Sequence, residues 1–591
     1  MSRRVEALWA LLLAVGTTLA SDWKLVSGLT TTVAGDFGDP LYFAWQLAWV
    51  GHAIREDPTS ITSSMWTTNT FSQAPDNLAY TDVVLGYLPL SWLTPPGQAG
   101  ALAQLNLALL VATATAALGA YVLARVLGAA VPAASLAAIG FAFAPWRDTQ
   151  VIHINILSTG GIALAAALLA HGHAWSLRHG WRPDGLRARW VLAGWLVAAW
   201  QLTYGFATGI WFGYFLALLM LAWTLGWLFT GRRRAGLTRL RGVLLADLAG
   251  GLVFLAVAYL LTIPHERVLA AHPDAQRVEG MLDLFSPPWY GLLTANSVNR
   301  VWAGSMTRWR AEIDGHLWPP EMYMSPGILL LGLAVAGLFI SAWPLRRRLA
   351  LGVVTGVLAV AAIGTRGPAG GRYTYLPLYD HLPGWEHLRT PGRLMIWVTL
   401  GLCLLAAGAI TRICEALTSE WNTREELAWR RSEASPGYLR GRDWLTRIVI
   451  VGLLALPSMG VYVEGLDRTP HWTVPLAPID LAALPQPIML LPSGQVADYH
   501  LMFWTTQGWP VVANGDSGFN ATEQQRLRDQ AATFPDAASV AALRARGVRT
   551  VVVVRSRTGP GSWAGAGDAP VLGLGITRTD RGDAVVFDLA G

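Results

Sequence analysis

Apolar runs alternate with polar stretches rich in Pro, Trp and charge along most of this chain. A helix that crosses a bilayer needs about 20 apolar residues, with about 17 as the lower limit. By that measure the runs at 5–20, 99–127, 132–146, 154–176, 190–206, 207–229, 243–263, 326–343, 349–364, 394–413 and 447–462 predict about eleven spans. The first run has a competing reading as a cleaved signal peptide, because Thr18-Leu19-Ala20-Ser21 resembles a small-residue cleavage site. The segment 83–93 is too short to span, carries Pro89 and is stopped by Pro95-Pro96, so it is expected to lie in the interface.

Charge orients the spans. Arg178, Arg182, Arg187 and Arg189 follow the fourth run; Arg232, Arg233, Arg234, Arg239 and Arg241 follow the sixth; Arg346-Arg347-Arg348 follow the eighth. Short loops rich in Arg stay on the cytoplasmic side. With the N-terminus inside, every cluster falls inside. The long loops 21–97, 265–325 and 365–393 then fall outside, as does the tail 464–591. This predicts a multi-pass protein of the cytoplasmic membrane, with a transmembrane domain over 1–463 and an extracytoplasmic domain over 464–591.

The tail has its own pattern. Residues 487–491 and 548–554 read as buried strands, 523–532 and 537–546 as helices, and 571–577 with 584–589 as a hairpin around Asp580-Arg581-Gly582-Asp583. The expected fold is therefore an all-α polytopic bundle carrying a small C-terminal α/β domain.

Composition agrees. Of the residues 53% are hydrophobic and 14% charged, against about 25% charged in soluble domains. The 29 Trp suit a protein with two membrane–water boundaries. The net charge of +6 is concentrated in the inner Arg clusters, a topology signal and not a nucleic-acid patch. Cys403 and Cys414 lie in one apolar run, about 16 Å apart on a helix, too far for a disulfide.

Four groups of residues could carry chemistry. Asp36 and Asp39 sit in the Gly/Pro-broken turn Gly35-Asp36-Phe37-Gly38-Asp39-Pro40, just outside the first span, ahead of an aromatic amphipathic segment. A helix cap explains Asp39 before Pro40 but leaves Asp36 unexplained. Either acid could take a proton from an attacking hydroxyl, or the pair could hold a divalent cation with hard oxygen ligands; no cofactor or metal is assigned. The outer loop 365–393 carries Arg366, Arg372, Arg389 and Arg393, although short outer loops normally avoid Arg. Guanidinium forks there suit a lipid-linked phosphate, or else snorkel to ordinary anionic lipid. His153, with Arg147-Asp148-Thr149-Gln150 before it, faces the same side as the acids and is a pocket-lining candidate. Glu312, Asp314, His316 and Glu321 share the loop 265–325 with Trp309 and Trp318; His and carboxylates could hold a metal, though their spacing is not diagnostic, and Trp beside carboxylates suits a sugar site, but a solvated loop is the better reading. No P-loop, dinucleotide fingerprint, zinc-ligand run or nucleophile elbow is present.

The Asp36–Asp39 stretch resembles the first outer loop of GT-C-type integral membrane glycosyltransferases, and most nearly that of bacterial YfhO-like multispan proteins. Short pieces extend the resemblance: Asn77-Leu78-Ala79-Tyr80, Phe141-Ala142-Phe143-Ala144-Pro145-Trp146 with His153 downstream, Leu284-Phe285-Ser286-Pro287-Pro288, Arg389-Thr390-Pro391-Gly392-Arg393 and Ser517-Gly518-Phe519. The resemblance implies an Asp base in the first outer loop and a polyprenyl-phosphate sugar donor. The acceptor would be a glycan, lipid or protein. On this reading Asp36 and Asp39 are catalytic, Arg389, Arg393 and Arg366 hold the donor phosphate, and His153, Tyr80, Glu312 and His316 line the pocket. Two other readings compete: a transporter or flippase of lipid-linked saccharides, and a non-catalytic envelope assembly protein.

Overall fold

The computed structural model describes residues 2–229, 237–275, 280–431 and 452–590. The Arg232–Arg234 cluster, the end of the inner loop before the eleventh predicted span and the first residues of that span lie outside the described residues. Six helices are long and apolar enough to cross a membrane: Arg3–Ser21, Gln98–Val126, Ile154–Gly172, Phe206–Gly226, Arg239–Ala271 and Pro391–Ser419. Shorter helices stand at the other predicted positions: Val131–Ala142, Ala188–Leu202, Ile328–Phe339, Leu345–Ala361 and 452–464. The chain is thus a mostly helical, multi-pass membrane protein. The expected eleven full spans are not matched helix for helix. Twelve residues rise only about 18 Å, well short of a hydrocarbon core of about 30 Å.

Small residues set the helix packing. A Cβ at Gly119 would strike the carbonyl oxygen of Gly160, and one at Gly337 the carbonyl of Leu405. Apolar tails solvate lipid as well as they solvate each other, so close backbone approach holds such helices together. The apolar stretch of the Pro391–Ser419 helix, as far as Thr411, is buried, whereas Leu221, Leu248 and Leu255 project outward from peripheral helices. Both cysteines are free.

Two ends of the bundle can be told apart. Glu6, in the first turn of the first helix, pairs with Arg125 at the end of Gln98–Val126 at 2.6 Å. At the far end, the helix Asp39–Glu56 lies buried between Gln98–Val126 and the tail helix Gln495–Trp504, with Leu41, Trp45 and Leu47 in the shared core.

The tail contains a four-stranded sheet, in the order Ile488–Leu491, Thr550–Val554, Ala584–Asp588, Thr577–Arg581; the first pair is parallel and the others antiparallel. Alternating side chains divide its faces. Ile488, Leu490, Val552 and Val586 join the core around Asp39–Glu56, and Met489, Leu491, Val553 and Phe587 pack with Leu527 and Leu543 of the tail helices. Thr32–Ala34 also pairs with His471–Thr473, stitching the first loop to the tail.

The helices Thr522–Ala531 and Ala537–Ala545 and the two apolar strands match the sequence reading. The first hairpin strand does not. It is Thr577–Arg581, shifted from 571–577, and all five residues are exposed. An edge strand of polar residues leaves no apolar alternation to read.

Candidate functional site

Four segments far apart in sequence meet beyond the bundle end that holds Asp39. The first is the turn Gly35–Pro40. The Oδ1 of Asp36 accepts the Gly38 N–H at 2.7 Å, closing the turn and aiming the helix that starts at Asp39. Burial pushes the Asp36 carboxyl above its ordinary range; the Gly38 N–H opposes this and the charge of Asp39 adds to it. Gly38, not Asp39, stands at the cap position of this helix, and Asp39 is its first residue. The Oδ2 of Asp39 lies 2.9 Å from Nε2 of His153.

The second segment is the helical turn Pro145–Gln150 and the residues after it, which present His153 and Gln150. Nδ1 of His153 lies 3.0 Å from Oε1 of Gln150 and 3.9 Å from Oε1 of Glu321. The third and fourth carry Glu321, in the turn Pro319–Glu321, and Arg393, at the head of the buried helix. Arg393 Nη2 donates to Glu321 Oε1 at 2.6 Å, and Gln150 Nε2 donates to Glu321 Oε2 at 3.2 Å. Burial alone would push the Glu321 carboxyl up. Arg393, then His153 and Gln150, outweigh burial and hold it below the usual carboxylate range.

This chain of contacts fixes a proton. Ionised Glu321 only accepts, so the Gln150 amide nitrogen faces it and the Gln150 oxygen faces His153. Nδ1 of His153 therefore carries a hydrogen. Nε2 and Asp39 then share whatever proton lies between them. Exposure is graded along the relay: the Asp39 side chain is 35% exposed and Glu321 7%. Asp39 is the end that a ligand reaches.

At the buried end, Trp146, Tyr323, Met324 and Gly392 enclose with Gln150, Glu321 and Arg393 a cavity of about 10 Å³, the size of one water. Nε of Arg393 is buried there with no hydrogen-bond partner among the described residues. The tail forms the other wall. The charges of Asp39 and Asp516 both act on the hydroxyls of Tyr42 and Tyr499, burial being the larger influence on each. Tyr42 reaches Ser517 at 3.3 Å, and Arg528 bridges the buried Asp498 and Asp516, each at 2.9 Å.

The remaining predicted residues lie elsewhere. Arg389 sets its guanidinium 4.7 Å above the Phe285 ring. Arg366 and His316 pair with each other at an exposed position, at 3.0 Å. Glu312 is exposed and lies beside Arg308. Tyr80 belongs to an aromatic cluster with Phe71, His272 and Phe519. The sequence reading grouped Glu321 with Glu312, Asp314 and His316 and gave Gln150 no role of its own. The signal for Glu321 was its place: like Asp39, it is an acid beside a Pro next to a spanning run.

Asp36, Asp39, His153 and Glu321 are the groups here able to ligate a divalent cation. Asp39 and Glu321 approach opposite nitrogens of the imidazole, so the ring would have to turn to bring three ligands to one ion. Among the described residues no group of three or more His, Cys, Asp or Glu converges as a metal site.

No family model and no curated protein matches the sequence. Among solved structures, the cryo-EM structure of the arabinofuranosyltransferase AftD from mycobacteria is similar at a TM-score of 0.46 and 15% identity, covering 100% of this chain and 42% of that one. The crystal structure of the Archaeoglobus fulgidus oligosaccharyltransferase tethered to an acceptor peptide is similar at 0.44 and 13%, covering 92% of this chain and 68% of that one. The chain spans less than half the length of the first. At TM-scores below 0.5 these likenesses bear no weight, and the function proposed next rests on the site's own geometry.

Proposed function

We propose that the chain is a membrane-embedded glycosyltransferase that takes a sugar from a lipid-phosphate donor, with Asp39 as the general base. The observation that carries this reading is the unbroken relay from the exposed Asp39, through His153 and Gln150, to the buried Glu321–Arg393 pair. It supports a site with a proton acceptor at its mouth and a positive group with spare donor capacity behind it.

In this mechanism an acceptor hydroxyl binds at the exposed face of Asp39. Its oxygen forms the new bond to the anomeric carbon while the bond from that carbon to the donor phosphate oxygen breaks. The hydroxyl proton passes to Asp39, and the electron pair leaves with the phosphate. Nε2 of His153 orients the Asp39 carboxyl, and Gln150 holds the ring in place from the other nitrogen. Arg393, paired with Glu321 behind the site, contributes positive charge toward the departing phosphate. Arg389 and Arg366, further out on the same loop, meet the headgroup. Asp36 positions Asp39 through the turn that it closes. The donor leaflet is the outer one, because the basic loops mark the opposite side as cytoplasmic. Tyr42, Tyr499 and Ser517 place the tail at the acceptor side.

The test is sugar transfer by Asp39→Asn and Asp36→Asn in the full-length protein, with folding checked by the unfolding midpoint. Asp39→Asn is expected to lose at least about 10²-fold in kcat, the usual scale for a general base. Asp36→Asn is expected to lose less, because Asn can also accept the Gly38 N–H. A folded Asp39→Asn variant with full transfer would overturn the assignment. Activity that vanishes on chelation and returns with a divalent cation would instead favour Asp39, His153 and Glu321 as ligands.

A further inference from the structure

A second cavity lies at the opposite end of the bundle, where the N-terminus is. It measures about 330 Å³, within the usual range for small-molecule sites, and opens between the Phe206–Phe229 and Leu237–Ala271 helices. Its wall is mainly apolar and aromatic, with Trp175, Trp181 and Trp223 among the lining side chains. Its polar groups are few. His173 and the indole N–H of Trp195 both approach the same oxygen of Asp247, at 3.2 and 2.9 Å, so one carboxylate oxygen carries both contacts. Arg347 completes the polar edge.

Arg347 lines the cavity, and arginines of loops far apart in sequence gather beside it. Arg347 donates to the Leu177 carbonyl at 2.8 Å, and Arg239 donates to the Asp184 carbonyl at 2.9 Å. Two of the basic clusters are thereby tied to the 175–186 segment, which carries Arg178 and Arg182 itself. The positive field is felt locally: burial, then Arg182, Arg178 and Arg347, push the His179 imidazole below its usual range, against Glu415. The acids nearby are partly spoken for, Asp247 by His173 and Trp195, and Glu415 by Arg178 and Arg412. An apolar, Trp-walled hollow with the Arg347 guanidinium at its polar edge, and further arginines on the adjoining loops, is complementary to one kind of molecule, an anionic amphiphile. Basic pockets between membrane helices on the cytoplasmic side take anionic lipid headgroups.

We propose that this cavity binds one anionic phospholipid of the adjoining leaflet, with an acyl chain against Trp223 and the phosphate at Arg347. The site is distinct from the Asp39 relay, from which the Gly160–Gly172 helix separates it by about 20 Å of rise. The inference does not depend on glycosyl transfer.

The full-length protein is stripped of lipid in detergent, then offered phosphatidylglycerol, phosphatidylcholine or inorganic phosphate. Retained lipid is counted by native mass spectrometry and protection is read from the unfolding midpoint. One phosphatidylglycerol is expected to be retained, at least about 10-fold more tightly than phosphatidylcholine. Gly226 lines the cavity, and a Cβ added there meets nothing within 4 Å. Gly226→Leu should therefore fold, fill the hollow and abolish retention. Arg347→Gln should weaken it about 10-fold while Arg347→Lys keeps most of it. Equal retention of both lipids, or undiminished retention by Gly226→Leu, would overturn the proposal. Protection by inorganic phosphate equal to that by phosphatidylglycerol would overturn it too, by showing that the headgroup alone is bound.

Discussion

Two histidine–carboxylate pairs stand at opposite ends of this bundle and differ in almost everything but composition. In His153–Asp39 the second ring nitrogen is held by Gln150, and the pair runs on into a buried ion pair beside a cavity the size of one water. In His173–Asp247 the ring lies against Trp223, with centroids 3.9 Å apart, the carboxylate oxygen also accepts from Trp195, and the cavity is some thirty times larger and mostly apolar. The first arrangement fixes where a proton resides and leaves an acid exposed. The second satisfies a polar pair inside an aromatic wall. Identical side chains serve a proton relay or a ligand wall according to what touches the other atoms of each.

The comparison can be broken by exchange. The largest effect is expected for Glu321→Gln, which leaves the Arg393 charge buried without its counter-ion. It should cost about 3 kcal/mol of stability, measured by denaturant unfolding, and suppress transfer as well. Next comes the direct contrast. His153→Gln should lower kcat about 10²-fold, whereas His173→Gln should change transfer less than about 2-fold. Equal losses from the two would erase the distinction drawn here.

The smallest effect sharpens the scale. Asp22 lies outside both pairs, and burial, together with the charge of Asp467, pushes its carboxyl up to about 7. A carboxyl raised on folding favours the protonated native state. Its stabilising contribution is present below its unfolded pKa of about 4 and is lost as pH rises through about 7. Asp22→Asn should therefore match the parent at pH 4 and unfold about 1–3 °C higher at pH 8. A midpoint gap that does not grow with pH would remove the buried charge as its cause.

Much of the fold could be read from the chain because its signals are local. A run of apolar residues must leave water wherever it is placed, so a helix occurs at each position the hydropathy marked, though several are shorter than a crossing. Strand 550–554 was legible from its unbroken valines. The helix Gln495–Trp504 and the strand Thr577–Arg581 were not, since one mixes polar residues into its turns and the other is polar throughout. At the site, the turn chemistry of Asp36 and Asp39 was visible, but not which acid has a partner. Loop residues such as Tyr80, Glu312 and His316 share a side of the protein with Asp39 without joining its relay.

Sequence alone therefore determined the apolar runs, the basic loops between them and the acid-bearing turn. Each of these is set by neighbours a few residues away. Tertiary structure decided that Asp39, His153, Glu321 and Arg393 form one line, and that basic loops far apart in sequence meet beside one hollow. Those partners lie on separate segments and meet only where close-packed small residues let the helices approach. A side chain's chemistry depends on the group a few ångströms away, which its position in the chain does not specify.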